Sequence, residues 1–264
     1  MNRIASSFRA LRRRGETALV PFLTAGYPGP GALPDLVEAV AEAGADLIEI
    51  GLPFSDPLAD GPVIQHSSQQ ALAQGMSIAR ALDEAAAARR RAPLPLVMMG
   101  YLNPLLAYGL ERFCAAAVRA GVDGLIVPDL PVEESAALRR AAKRAGLAPT
   151  FLIAPTSTAE RIAAADRASA AFSYCVALTG TTGAALGVGS ELRRYLKRVR
   201  RLARKPYVVG FGVSRPDQVR ALAGLAHGVV VGSALIRALD AGPRSGARRR
   251  AFALVARLKQ GTLP

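Results

Sequence analysis

Glu49, Asp56 and Asp60 fall within one short segment, Asp46–Gln65 (DLIEIGLPFSDPLADGPVIQ), and of these Glu49 and Asp60 are the acid/base candidates. Glu49 is embedded in an apolar run that breaks at Gly51 and Pro53; Asp56 and Asp60 lie on the Pro-, Gly- and Asp-rich loop beyond it, and Pro62 stands where a helix can begin. Burying a carboxylate without a partner costs several kcal/mol, so a strand that carries one has a partner for it or a use for it. Side chains alternate along a strand, so Glu49 shares a face with Leu47 and Gly51. If that face is inward, the apolar surroundings raise the glutamate's pKa toward the range that suits proton transfer at neutral pH. Asp60, on a loop, can stay ionised, and two carboxyls in different environments can divide acid and base roles. The plainer alternatives are a turn or capping role for Asp60 and an edge-exposed strand position for Glu49.

A second chemical signal is a set of glycine-rich turns, TGTTG at Thr179–Gly183, GFGVS at Gly210–Ser214 and the pair Gly232–Ser233 that opens a short helix. Backbone N–H groups of such turns can hold a phosphate, and glycine is needed where a Cβ would block the approach; taken singly, each is equally a tight turn. Thr24, Gly26, Tyr101, Asn103, Asp129 and Tyr174 stand at or just beyond other strand ends.

The elements that position these residues alternate short apolar runs with longer amphipathic ones. Eight runs read as strands: 18–25, 46–52, 94–100, 124–130, 149–154, 171–178, 206–212 and 228–232. Helical stretches lie between them, among them 34–43, 110–120, 133–145 and 191–203, and Gly44, Gly121 and Gly146 mark helix ends before the next strand. Strands buried on both faces read as continuous apolar runs, as these do. Eight β/α units without a break in composition predict one (β/α)₈ TIM barrel domain over residues 1–264, an α/β fold with an extra N-terminal helix and a short phosphate-binding helix after strand eight. The active site is then expected at the C-terminal ends of the strands, with the phosphate turns after the last strands. An open doubly wound sheet is the competing architecture; GFG is not a full dinucleotide fingerprint, and no Walker loop is present. The one candidate linker is 241–247, before a terminal helix.

The chain has 264 residues, 51% of them hydrophobic, enough for a sizeable core. No run reaches the ~18 apolar residues of a membrane span, so no membrane association is expected. Ile4, Phe8 and Leu11 recur at helical spacing, so the N-terminus reads as an amphipathic helix rather than a secretory signal; its Arg and Ser content faintly resembles a transit peptide. Cys114 and Cys175 in apolar surroundings read as reduced core thiols of a cytoplasmic protein, and the two histidines offer no metal-ligand spacing. The net charge of +14 comes from 34 basic and 20 acidic residues. The basic clusters are dispersed along the chain, as on a solvated outer ring, and aromatics are 5%, which argues against specific nucleic-acid binding and for weak, salt-sensitive attraction to anions.

These residues resemble a known family. The segments 21–28 (PFLTAGYP), 49–65 (EIGLPFSDPLADGPVIQ), 100–109 (GYLNPLLAYG), 121–135 (GVDGLIVPDLPVEES), 179–184 (TGTTGA), 210–214 (GFGVS) and 231–236 (VGSALI) are similar to the tryptophan synthase alpha subunit, over nearly the whole chain. The resemblance implies a (β/α)₈ barrel and the retro-aldol cleavage of indole-3-glycerol phosphate to indole and glyceraldehyde 3-phosphate. It makes Glu49 the proton shuttle between indole C3 and the glycerol hydroxyl, and Asp60 the residue that holds the indole N–H. Phe22, Tyr101, Tyr174 and Phe211 are implied as substrate-binding, as are Gly183, Gly212, Gly232 and Ser233 at the phosphate. Thr182 matches the threonine of a loop that closes on the site and orients Asp60. Asp56, Pro57 and Asn103 fall in segments that meet the beta subunit, in an expected alpha2beta2 heterotetramer. No metal or organic cofactor is implied in this chain; pyridoxal phosphate belongs to the beta subunit.

The same residues serve a stand-alone indole-3-glycerol phosphate lyase that releases free indole. Another phosphosugar isomerase or epimerase would share the phosphate turns but has no reason to carry the Glu49–Asp60 segment. A barrel kept only as a partner-binding scaffold has no use for both carboxylates.

Overall fold

The computed structural model describes residues 2–176, 189–210 and 212–263. Its strands are β1 (Ala18–Thr24), β2 (Ile48–Gly51), β3 (Leu96–Met99), β4 (Gly124–Ile126), β5 (Ala148–Thr150), β6 (Leu152–Ile153), β7 (Ser173–Val176), β8 (Tyr207–Gly210) and β9 (Gly228–Val231). The helices are α1 (Arg3–Arg14), α2 (Leu33–Glu42), α3 (Pro62–Ala73), α4 (Ile78–Arg91), α5 (Leu102–Tyr108), α6 (Leu110–Arg119), α7 (Ala136–Ala145), α8 (Ala159–Ala168), α9 (Ser190–Leu202), α10 (Pro216–Leu222), α11 (Ser233–Asp240) and α12 (Ala247–Lys259).

All paired strands are parallel, in the order β5-β4-β3-β2-β1-β9-β8-β7-β6. Because β5 and β6 are consecutive in the chain, the sheet closes on itself, and the open-sheet alternative is excluded. The expected fifth strand is one barrel position split in two at Phe151. Its N–H donates to Ser169 Oγ at 3.0 Å instead of to the ladder, while its carbonyl accepts from Tyr174 N at 3.1 Å. Nine strands therefore fill the eight positions that the apolar runs predict. Gly44, Gly121 and Gly146 take left-handed φ values of 96°, 82° and 81° where the helices end.

Alternation along the strands sorts the core into two shells. Leu19, Leu23, Ile48, Ile50, Leu96 and Met98 point outward into the packing between sheet and helices. Val20, Phe22, Leu47, Val97, Ile126, Val208 and Val230 point into the barrel. The expected N-terminal helix closes the barrel's floor. Ile4, Phe8 and Leu11 of α1 join the inner shell, Phe8 lying 5.6 Å from Phe172 ring to ring. Asn2 caps this helix by accepting from Ile4 N, and Arg3 pairs with the buried Asp123 at 2.8 Å. Gly124 keeps the floor open to α1, since a Cβ there would lie 2.9 Å from Ile4 Cδ1. With its floor plugged by α1, the barrel interior opens, among the described residues, at the C-terminal ends of its strands.

Candidate active site

A cavity of about 220 Å³ opens at that end, and β2 delivers Glu49 into it. Glu49 shares the inner face with Leu47, in register with Phe22 of β1 and Val97 of β3. It is 2% exposed, and its carboxyl has neither hydrogen bond nor ion pair among the described residues. Burial, followed by the nearby charge of Asp60, pushes its pKa from 4.5 to about 8. The sequence-level expectation of an inward glutamate with a raised pKa is what the fold produces, and Glu49 is a neutral acid at pH 7.

Asp60 is on the cavity wall with Ala59 and Gly61, at the end of the β2–α3 loop. Pro62 begins α3, as its missing N–H and fixed φ predict, and this ends the loop. Asp60 is more buried than a simple loop residue: desolvation raises its pKa to about 6, and the hydrogen bond from Tyr101 opposes the rise. It is therefore ionised near neutral pH while Glu49 is protonated. Tyr101 stands behind this carboxylate rather than on the cavity wall. Its hydroxyl donates to Asp60 Oδ2 at 3.0 Å and accepts from Ala59 N at 3.0 Å, and its ring lies 5.2 Å from that of Phe54. Tyr101 thus sets where the aspartate points.

The apolar wall is made by Phe22, Ile64, Met99, Ile126, Leu152 and Val230, with Tyr174 between it and the carboxyls. Burial and the charges of Glu49 and Asp60 keep the Tyr174 phenol protonated. Two strand glycines make room for these rings. A Cβ on Gly51 would fall 2.4 Å from Phe22 Cζ, and one on Gly210 would fall 2.6 Å from Tyr174 Oη. Sequence reasoning did not find these two roles, nor those of the five other apolar wall residues, Ile64, Met99, Ile126, Leu152 and Val230. For the strand residues the signal was parity, which places Gly51, Met99, Ile126, Leu152, Gly210 and Val230 on the inward face; Ile64, on α3, has no such signal.

The far end of the cavity is polar backbone. Gly212, Gly232 and Ser233 line it. Gly212 has a φ of 65° and open space where a Cβ would stand. Gly232 precedes α11, and its carbonyl takes the N–H groups of Leu235 and Ile236, leaving the N–H groups of Ser233 and Ala234 at the helix start. Gln218 fixes the approach to this turn, its Oε1 accepting from Ser214 N at 2.9 Å and Arg215 N at 3.1 Å. Thr182, Gly183 and Phe211 lie outside the described residues.

The remaining sequence candidates are outside the cavity. Thr24 is buried and shares a 2.7 Å hydrogen bond with Ser67, tying β1 to α3. Asp129 accepts from Leu102 N at 3.0 Å, at the start of α5. Asp56 and Asn103 are exposed at the same end of the barrel, near the exposed apolar side chains Leu58 (83%) and Leu106 (53%). No group of His, Cys, Asp and Glu able to hold a metal occurs among the described residues. The arrangement can hold a flat apolar ring between Phe22 and the aliphatic wall, with a neutral acid and a carboxylate at its edge and an anion cradle beyond.

Comparison with known proteins agrees with this geometry. A family model described as tryptophan synthase alpha chain matches residues 8–262. The tryptophan synthase alpha chain of Citrifermentans bemidjiense is 46% identical over 263 residues, covering 100% of this chain and 98% of that one. That of Geobacter sulfurreducens is 47% identical over 240 residues, 91% of each. Among solved structures, tryptophan synthase subunit alpha from Legionella pneumophila superposes with a TM-score of 0.92 at 34% identity, over 99% of this chain and 98% of that one. A chain of Mycobacterium tuberculosis tryptophan synthase in an aminoacrylate-bound form superposes with a TM-score of 0.88 at 34% identity, over 99% and 100%. The chain belongs to the tryptophan synthase alpha chain family, carbon–carbon lyases that cleave indole-3-glycerol phosphate in tryptophan biosynthesis.

Proposed function

We propose that Glu49 and Asp60 carry the retro-aldol cleavage of indole-3-glycerol phosphate to indole and glyceraldehyde 3-phosphate. The observation that carries this reading is a protonated carboxyl and an ionised one in the same apolar cavity, with a phosphate cradle at its far end. Indole is a poor carbanion leaving group, so C3 must gain a proton before the C–C bond breaks. Glu49 gives its proton to C3, and Asp60 accepts a hydrogen bond from the indole N–H as the ring becomes cationic. The Glu49 carboxylate then takes the proton of the adjacent glycerol hydroxyl. The C–C bond breaks, its electron pair returns to the ring, the aldehyde forms, and Glu49 is again a neutral acid. Gly212, Gly232 and Ser233 hold the phosphate, with Gly183 completing the cradle. Phe22, Tyr174 and Phe211 bound the indole. Tyr101 orients Asp60, and Thr182 assists it from its own loop.

The whole chain, 1–264, works as one barrel domain, a reading supported by the continuous sheet and by the bond from Thr17 N to Thr262 O that ties the C-terminus to β1. Its partner is a tryptophan synthase beta subunit in an alpha2beta2 complex. Exposed Leu58 and Leu106 beside Asp56, Pro57 and Asn103 give that partner an apolar contact at the mouth of the site. The chain needs no cofactor; pyridoxal phosphate belongs to the partner. The cytoplasm suits its two free buried thiols, Cys114 and Cys175.

The test is indole release from indole-3-glycerol phosphate by the purified chain, alone and with a tryptophan synthase beta subunit. Slow release that the partner accelerates strongly is expected. Fast unassisted release makes the chain a stand-alone lyase, and no release in either case overturns the assignment.

A further inference from the structure

A second cavity, of about 510 Å³, lies at the opposite, N-terminal end of the barrel. Its walls are α1, the turn Gly15–Thr17, the C-terminal end of α9 with the following 203–207 stretch, and the turn Gly224–His227. Arg12, Arg200, Arg204, Lys205 and His227 line it; the one acid, Glu16, is already neutralised by Arg14 at 2.7 Å and Lys259 at 3.8 Å. Arg200 donates to Gly224 O at 2.6 Å and Lys205 Nζ to the Asp166 carbonyl, so both are held in place. The guanidinium groups of Arg12 and Arg204 have no partner among the described residues. His227 Nδ1 accepts from Tyr207 N at 3.3 Å, which leaves Nε2–H as a donor, and the ring stands edge-on to Tyr207 at 4.9 Å.

We infer that this cavity is a second anion site, built for the dianionic phosphate of a small phosphate monoester. Guanidinium groups match phosphate oxygens two at a time, and the imidazole N–H adds a neutral donor. The negative ends of the α1 and α9 dipoles both face this cavity and oppose an anion there. Against them stand the charge-assisted hydrogen bonds that Arg12 and Arg204, both exposed, can offer together with the fixed Arg200 and Lys205. The volume is in the range of small-ligand sites, enough for an organic body beside the phosphate.

His227 reports on the site directly. Burial, then Arg200 and Arg12, depress its pKa, so a bound anion that offsets the two arginines must raise it. Arg204, Lys205, Tyr207 and Glu16 are the other charged or titratable groups around it; burial pushes the Tyr207 phenol up, and the hydrogen bond from Arg14 holds Glu16 down. The chain has two histidines, so imidazole NMR signals are assignable with a His66→Gln control.

The experiment is a titration of the full chain with inorganic phosphate, against chloride at matched ionic strength, following both imidazoles. A saturable shift of His227 alone is expected, with its pKa raised by about half a unit or more. The Arg12→Ala/Arg204→Ala double variant should bind about tenfold more weakly while forming indole at the parental rate, which shows that it is folded. Arg139→Ala, in a separate basic groove between α7 and the start of β5, should change nothing. No saturable shift, an equal response to chloride, or undiminished binding by the double variant would overturn the site.

Discussion

The two ends of this barrel treat buried carboxylates in opposite ways. At the N-terminal end Asp123, 9% exposed, pairs with Arg3 at 2.8 Å and accepts from Leu96 N at 3.0 Å. Asp46 has Lys259 at 2.7 Å and Leu19 N at 2.8 Å, and Asp166 accepts from the backbone of Arg204 and Lys205. At the C-terminal end Glu49 is more deeply buried than Asp123 and has no partner at all among the described residues. The same residue class is charged and paired where a partner answers it, and holds its proton where none does. An unanswered buried carboxyl stays protonated at neutral pH, and a proton held in an apolar slot is what a carbon acid–base reaction needs.

The contrast breaks most completely at Glu49. Glu49→Gln should lower the cleavage rate by roughly 10²–10⁴-fold with KM nearly unchanged, measured by indole formation at saturating substrate. The same variant should be more stable than the parent at alkaline pH. The folded pKa of Glu49 lies above its unfolded value, so its ionisation costs stability progressively as pH rises from about 4.5 to about 8. Denaturant unfolding at both ends of that window should show a gain on the order of a few kcal/mol at the upper end and little at the lower.

At the opposite end the expected effect is on folding rather than rate. Asp123→Ala leaves Leu96 N–H and Arg3 unanswered and should cost on the order of 2 kcal/mol, discounted for the exposure of Arg3, with turnover per folded molecule unchanged. Gly51→Ala should act on rate without touching either carboxyl, because its methyl displaces the Phe22 ring; a loss of about tenfold in kcat/KM is expected, most of it in KM. The smallest effect belongs to Tyr101→Phe. Losing the hydroxyl removes the bond that lowers the Asp60 pKa, so the acid limb of the rate profile should move up by about half a unit.

The barrel itself was readable because its strands are buried on both faces and so appear as unbroken apolar runs. Glu49 was readable because a carboxylate in such a run is conspicuous and strand parity fixes its direction. Parity does not extend to loops, so it gives no direction for Tyr101, whose hydroxyl stands behind Asp60. The split of the fifth strand depended on Ser169, a residue from the far end of α8 whose hydroxyl reaches Phe151 N, and nothing local to 149–154 announces it.

The charge was legible only residue by residue, for a related reason. The basic clusters are far apart in the sequence, yet Arg89–Arg91, Arg119, Lys143–Arg144, Arg167 and Arg200–Arg201 all occupy last turns of their helices. Crossover helices of a parallel barrel run back toward the strand beginnings, so these turns gather at the N-terminal end. There their positive charge meets the negative helix ends.

The most direct test of the central claim is the pH dependence of kcat/KM for indole formation in the complex with a beta subunit. The unlike environments of the two carboxyls predict a bell, rising through about 6 as Asp60 ionises and falling through about 8 as Glu49 loses its proton. A profile that stays flat through the upper limb would mean that no carboxylic acid donates the proton, and would contradict the role assigned to Glu49.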